Sequence, residues 1–329
     1  MLTEQQLIKK IRGLCGGRDK HLVRGIGDDC AVIRQMNGHL QLITTDALVE
    51  NIHFNTSWHP ARKLGRKAAS VNISDIAAMA GNPRYAFLSL ALPAGTKDVW
   101  LDEFLFGFKE VLDEYQVLLL GGDTVRSVDV LMFSVTILGE VSEEEICYRS
   151  GARPGDAILV SGTLGDAAAG LIACKKRLED PAGRYSSLVQ RHLDPQAKVE
   201  LGRLLGKSGK VHAMLDSSDG LATDLAHLCE ESGVGAEIAA EGIPINDAVR
   251  ELAPRGRYEP LSLAVSGGED YQLVLTAAEK DVDALLLDCQ ERLAEKLTVI
   301  GRILEGKGVI LVEGGRRREV SFKGFDHFR

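Results

Sequence analysis

Acidic residues recur in this 329-residue chain at places ill-suited to a solvating surface charge. Asp28 and Asp29 follow Gly25-Ile26-Gly27, and Asp46 follows Thr44-Thr45. Asp75 lies among small and apolar residues in "NISDIAAMAG", and Asp123 follows Gly121-Gly122. Asp216 and Asp219 bracket Ser217-Ser218, while Glu269 and Asp270 follow Gly267-Gly268. Any one of these reads as a turn or a cap, since Gly and Asp favour turns and Asp219 stands where it would cap a helix at Leu221. As a set they demand more. Adjacent carboxylates repel, and an acid beside Ala-Ala-Met is costly to bury without a partner. Lys and Arg are sparse in these segments, so ion pairing is not the obvious compensation. Hard divalent cations are: Mg²⁺ takes carboxylate, hydroxyl and water oxygens. Glycines before Asp28 and Asp29 give the backbone freedom to turn a carboxylate inward. A carboxylate-held Mg²⁺ cluster generally serves phosphate chemistry.

The familiar phosphate scaffolds are missing. "GRLLGKS", Gly202 to Ser208, has three residues between its glycines instead of four and follows a helical segment, so it is no P-loop. "GIGDD" lacks the third glycine of a dinucleotide fingerprint. There is no protein-kinase signature, EF-hand spacing, HExxH or Cys/His zinc pattern.

The acids fall at the ends of legible elements. "HLQLITTDAL" has strand character, and a helix is expected from about Pro60 to Met79, with proline in its first turn. "YAFLSLALP" is a strand, "VWLDEFLFGFKEVLDEY" a helix by period, and "QVLLLGGDTV" a buried strand running into a glycine turn. "VLMFSVTILGEV" is another strand. "RSGARPGD", Arg149 to Asp156, is the best boundary in the chain. Beyond it "AILVSG" reads as a strand, "LGDAAAGLIACKKRL" as a helix, and "HAMLDSSDGLATDLAHLCEESG" as strand, turn, helix. "LAVSGGEDYQLVLT" reads as two strands about a glycine turn. Strands and helices mix throughout, giving two α/β or α+β domains, and strand ends in such domains are where ligands bind.

Bulk properties fit this picture. Hydrophobic residues at 45% and charged residues at 26% are ordinary for a globular protein. The net charge of −8 argues against a nucleic-acid partner. No apolar run approaches the ~18 residues of a membrane span. The N-terminal stretch reads as an amphipathic helix with a Thr3/Gln6 capping box, without the apolar core of a signal peptide. Six scattered cysteines with no CxxC point to reduced thiols and a cytoplasmic location.

"GIGDDCAVI", "TTDALVENIHF", "KAASVNISDIAAMAGNP", "LLLGGDT", "RSGARPGD", "DSSDGLATDL", "SGGEDYQL" and the closing "KGFDHF" occur in the order seen in thiamine-monophosphate kinases, and the chain resembles that family from about residue 25 to 328. The family belongs to the superfamily of aminoimidazole-ribonucleotide synthetase. The resemblance implies an α/β N-terminal domain, residues 1–148, that holds metal and ATP and builds a β-barrel across the subunits of a homodimer. It implies an α+β C-terminal domain, residues 149–329, that completes the nucleotide and substrate site. It also implies transfer of the ATP γ-phosphoryl group to thiamine monophosphate, with several Mg²⁺ ions and with ATP as co-substrate. Carried over residue by residue, Asp28, Thr44, Thr45, Asp46, Asp75, Asp123, Asp216 and Asp219 match metal positions. Gly122, Asp123, Arg149 and Ser218 match nucleotide contacts, and His53, Glu269 and Phe325 match substrate contacts. No covalent nucleophile or general base is expected, because a phosphate oxygen is already ionised at neutral pH.

Overall fold

A computed structural model describes residues 3–17, 19–35, 38–178, 180 and 183–324. The first half runs α1 (Glu4–Cys15), β1 (Leu22–Arg24), β2 (Ala31–Arg34), β3 (His39–Val49), α2 (Ala61–Ala78), β4 (Asn82–Pro93), α3 (Asp98–Glu114), β5 (Leu118–Ser127) and β6 (Met132–Ser142). Its strands form one sheet in the order β1-β2-β3-β6-β4-β5, antiparallel except for the parallel pair β4–β5. Alternation along β3 and β6 turns Leu40, Leu42, Phe133, Val135 and Ile137 to one face, where Ile73, Ile76, Phe104 and Phe108 meet them. The Phe104 and Phe133 rings stack 4.3 Å apart at the centre of this core.

The second half runs β7 (Ala157–Ser161), α4 (Asp166–Lys176), α5 (Ser186–Leu193), α6 (Val199–Ser208), β8 (Val211–Asp216), α7 (Leu221–Ser232), β9 (Gly235–Ala239), α8 (Asp247–Arg255), α9 (Pro260–Ser266), β10 (Leu273–Ala277), α10 (Val282–Leu293), β11 (Leu297–Leu304), β12 (Gly308–Glu313) and β13 (Arg316–Glu319). These strands form a separate sheet, β13-β12-β9-β11-β7-β10-β8. β7 and β10 are buried at every position, which fits a central place with helices on the faces. Helix α2 joins the two halves. It is buried along most of its length, packing on α3, β3 and β6 on one side and on α6 and β8 on the other. Its run of Ala and Ser lets backbones approach closely, and Gly202 of α6 backs onto the Ala77 carbonyl. The "GRLLGKS" stretch therefore lies within a helix, as its rejection as a P-loop requires.

One expected turn and one expected strand are absent. β5 runs straight through Gly121-Gly122-Asp123, paired with Phe87, Leu88 and Ser89 of β4. Glycine at 122 serves close approach, since a Cβ there would stand 1.8 Å from the Leu88 carbonyl oxygen. Leu263-Ala264-Val265 are helical in α9, behind Pro260, and only Leu273 onward is a strand. Short apolar runs do not distinguish the two by period alone. The Thr3/Gln6 capping box of α1 forms as expected. β5 lies at the sheet edge and is uncovered: Leu118 is 63% exposed, Leu119 49% and Leu120 54%. No described helix is long and apolar enough to cross a membrane.

Candidate active site

The loop between β1 and β2 delivers the first acids. Gly27 takes φ +124°, a conformation that side chains disfavour, and the chain then turns Asp28 and Asp29 to different partners. Asp28 accepts from Arg24 Nε at 3.0 Å and from the Arg149 amide at 3.0 Å. Asp29 Oδ1 accepts from Arg149 Nε at 3.0 Å and from Nη2 at 2.5 Å. Asp29 Oδ2 is buried with no hydrogen-bond partner among the described residues. The expectation that cations are absent here therefore fails. Arg24 is local, four residues before Asp28, whereas Arg149 reaches the doublet through the fold from 120 residues away.

Asp29, Asp75 and Asp216 converge, each offering a carboxylate oxygen, with all three atoms within 4.8 Å of one another. Asp75 rides on α2, which is anchored in register with β3: Thr44 Oγ1 donates to Asp75, and the Asp46 amide donates to Asn72 Oδ1 at 2.9 Å. Asp216 ends β8, and Ser74 Oγ donates to it at 2.5 Å. Burial pushes the Asp75 carboxyl well up, and the charges of Asp46, Asp216 and Asp29 push it further. Burial, then Asp29, raises Asp216 to about 7, with Ser74 and Arg149 pulling the other way. Asp28 is raised to about 6 by burial and then by Asp29, against the Arg149 amide. Burial opposes the charge on Arg149, but Asp29 and Asp28 outweigh it and hold the guanidinium ionised.

This donor set suits a hard divalent cation. All three ligands are carboxylates, one oxygen has no other partner, and burial and neighbouring charge disfavour the ionised forms of Asp75 and Asp216. Asp29, and not Asp28, is the member of the doublet that joins the group. Thr44 faces the site, while Thr45 points to the other face of β3 and donates to the Val135 carbonyl, as strand alternation dictates. Asp46 sits on the exposed stretch of β3 and acts on Asp75 by charge. Gly122 and Asp123 stand three strands away: Asp46 pairs with Val135, Val135 with Leu88, and Leu88 with Gly122. At ~4.8 Å per strand that is roughly 14 Å.

The β8–α7 loop carries Ser218 and Asp219. The Asp219 amide donates to Asp224 Oδ1 at 3.3 Å, and Ser217 Oγ donates to Asp224 Oδ2 at 2.9 Å. The N-cap of α7 is Gly220, so Asp219 does not cap that helix. Asp224 is buried, which raises its carboxyl well above the usual range. Asp224, in the first turn of α7, is not among the acids the sequence singles out. His53 turns back on its own loop, its Nδ1 accepting from the Val49 amide at 3.0 Å. Glu269 is held by Lys67 at 2.7 Å and by His192 at 3.0 Å. Phe325 lies outside the described residues. Ser74 and Lys67 were missed by the sequence reading, although their spacing from Asp75 puts Ser74 next to it and Lys67 two turns before.

An acid cluster braced by an arginine thus lies at the seam of a two-domain α/β protein, and the chain matches family models over both halves. Residues 27–141 match AIR synthase related protein, N-terminal domain, and residues 153–313 match AIR synthase related protein, C-terminal domain. It is 35% identical to thiamine-monophosphate kinase of Buchnera aphidicola over 99% of both chains, and 37% identical to that of Aquifex aeolicus over 92% of each. Among solved structures, AaThiL complexed with AMPPCP and TMP superposes with a TM-score of 0.86 at 35% identity, covering 99% of this chain and 97% of that one. Thiamine-monophosphate kinase from Stenotrophomonas maltophilia gives 0.77 at 38% identity, covering 93% and 95%. The chain belongs to the thiamine-monophosphate kinase family.

Proposed function

We propose that this protein transfers the γ-phosphoryl group of ATP to thiamine monophosphate, forming thiamine diphosphate and ADP. The observation that carries the reading is the convergence of Asp29, Asp75 and Asp216 beside Arg149, in a chain of this family. Mg²⁺ held by these three acids, with Thr44 and Asp46 alongside, would neutralise phosphate charge, which two anionic substrates in an acidic cleft require. The substrate's own phosphate oxygen attacks the γ-phosphorus, the bond to the β-bridging oxygen breaks, and ADP leaves. No protein base is needed. Catalysis rests on position and electrostatics. Arg149 uses Nε and Nη2 on Asp29, so its Nη1 edge is the part aimed at phosphate. Asp28 fixes the Arg149 backbone and is a positioning residue in this scheme. In this scheme Ser218 and Asp219 serve the nucleotide and metal, and His53, Glu269 and Phe325 serve the thiamine part of the substrate.

We place the domain boundary at 148/149, which leaves Arg149 at the junction. The exposed apolar edge of β5 supports a homodimer that closes a barrel from the two first sheets. Gly122 and Asp123 lie on that strand, so their contribution to nucleotide or metal binding is made at the dimer interface. Six free thiols suit the reducing cytoplasm. The test is ATP consumption with and without thiamine monophosphate. Formation of ADP and thiamine diphosphate only when Mg²⁺ and both substrates are present supports the reading. ATP turnover indifferent to thiamine monophosphate refutes it.

A further inference from the structure

Lys67 is fully buried on α2. A buried ammonium is costly unless paired, and its one carboxylate partner is Glu269, with Nζ 2.7 Å from Oε1. Nζ also donates to the His192 carbonyl oxygen at 3.2 Å. His192 is buried too, and its Nδ1 lies 3.0 Å from the other oxygen, Oε2. Burial, and then Lys67, keep the His192 ring from protonating. Lys67 of α2 thus holds one Glu269 oxygen, while His192 of α5 lies close to the other without hydrogen-bond geometry, and the Glu269 side chain keeps 24% of its surface. Each oxygen has a second lone pair for another donor.

The backbone around Glu269 is pinned independently. The residue holds φ +70° and Tyr271 holds +48°, both costly for side-chain-bearing residues. The Glu269 amide donates to the Ser218 carbonyl at 2.8 Å, and the Tyr271 amide to the Ser217 carbonyl at 2.8 Å. Asp270 accepts from the Gly165 amide at 2.6 Å and from the Ala167 amide at 2.9 Å. Only the Glu269 side chain depends on α2. Seven residues on from Lys67, along the same face of that helix, Ser74 grips Asp216. Seven residues of α-helix span about 10 Å. One rigid helix therefore fixes the separation between the Glu269 carboxylate and the three-acid cluster.

We propose that Lys67 is a positioning residue that acts through Glu269. It sets the distance from the acid cluster at which the organic end of the substrate is held, and so selects a molecule with phosphate at one end and a cationic or N–H-bearing ring at the other. The inference rests on the reading of Glu269 as a thiamine-side contact. Its test is a double-mutant cycle of Lys67→Met, Glu269→Gln and the pair, with KM measured for each substrate. Lys67→Met raises KM for thiamine monophosphate at least about tenfold and leaves KM for ATP within about twofold. The double variant matches Glu269→Gln within about threefold, because the lysine has nothing left to position. Effects that multiply in the double variant, or a Lys67→Met that moves both KM values together or neither, overturn the proposal. If Glu269→Gln alone leaves KM for thiamine monophosphate unchanged, the reading of Glu269 falls and the inference with it. If Glu269→Gln raises KM and Lys67→Met does not, only the role of Lys67 falls. Should Lys67→Met not fold, Lys67→Arg keeps the charge and displaces the carboxylate. A rise of about threefold or more in KM for thiamine monophosphate alone supports the proposal, and no change in either KM overturns it.

Discussion

Replacing Asp75 by Asn should make the metal-free protein more stable and the enzyme inactive. Asp75 shares its site with Asp29 and Asp216 at no more than 4.8 Å, and Thr44 is a neutral hydrogen-bond partner. At an effective dielectric constant near 20, two ionised carboxylates at 4.8 Å repel by about 3.5 kcal/mol, so Asp75 meets about twice that from its two neighbours. Protonation relieves part of this strain. The folded-state pKa of Asp75 lies above its unfolded value, so the folded chain keeps a proton that the unfolded chain has lost. Stability attributable to this group is therefore complete below about pH 4 and is lost as pH rises through the folded-state pKa. Asp216, raised to about 7, contributes in the same direction. An amide at position 75 removes the loss. In EDTA, Asp75→Asn should melt above wild type at pH 8, by about 2 kcal/mol or a few degrees, with the gap shrinking toward pH 5. Mg²⁺ should raise the wild-type midpoint at pH 8 and do little for the variant. Turnover should fall by about 10²–10³, the loss that follows removal of one electrostatic group at a reacting centre. Scanning calorimetry with and without Mg²⁺, followed by a coupled ADP assay, measures both quantities. The reasoning is refuted if the variant melts below wild type in EDTA at pH 8, or keeps more than about a tenth of kcat, a change of only ~1.4 kcal/mol.

Three further outcomes follow. Asp29→Asn should abolish the Mg²⁺-dependent rise in melting temperature, whereas Asp28→Asn should retain it and lose activity more mildly; equal loss of the Mg²⁺ response would show that both acids ligate. Leu120→Glu on the uncovered β5 strand should give a particle near 35.6 kDa by light scattering at micromolar concentration, where wild type gives twice that mass; a wild-type monomer would defeat the dimer. Gly268→Ala should depress activity by at least about tenfold, because the new Cβ would lie 2.5 Å from the Ser218 carbonyl oxygen and force the loops at 217–220 and 267–272 apart; wild-type kinetics would show that their contact is dispensable.

Much of this site is written in local sequence, and the remainder depends on contacts between distant segments. Asp75 and Asp216 stood out because acids among small apolar residues need a partner, and the fold brings them together. The resemblance pointed to Asp28 as the metal member of the doublet, whereas Asp29 joins the cluster, since which member faces inward depends on Gly27 and on where Arg149 arrives, 120 residues later. Thr45 was grouped with Thr44 because the motif holds both, although strand alternation alone sends them to opposite faces. The glycines of β5 and the helix α9 were misread for a common reason. Gly marks turns and apolar runs suggest strands only statistically, and here pairing with β4 and the packing of a short buried helix prevailed. The spacing of Lys67 from Asp75 places it two turns earlier on the helix, but nothing in "GRKAAS" announces a carboxylate 202 positions away.

Helix α2 also constrains how this chain can change length. One inserted or deleted residue between Lys67 and Ser74 rotates everything beyond it by about 100° and shifts it by 1.5 Å. Either Glu269 or Asp216 then loses its partner, and no compensating turn is available inside a buried helix. The seven steps from Lys67 to Ser74 work as a gauge, and family members that accept a longer or shorter substrate should differ in the residues on this helix and not in their number.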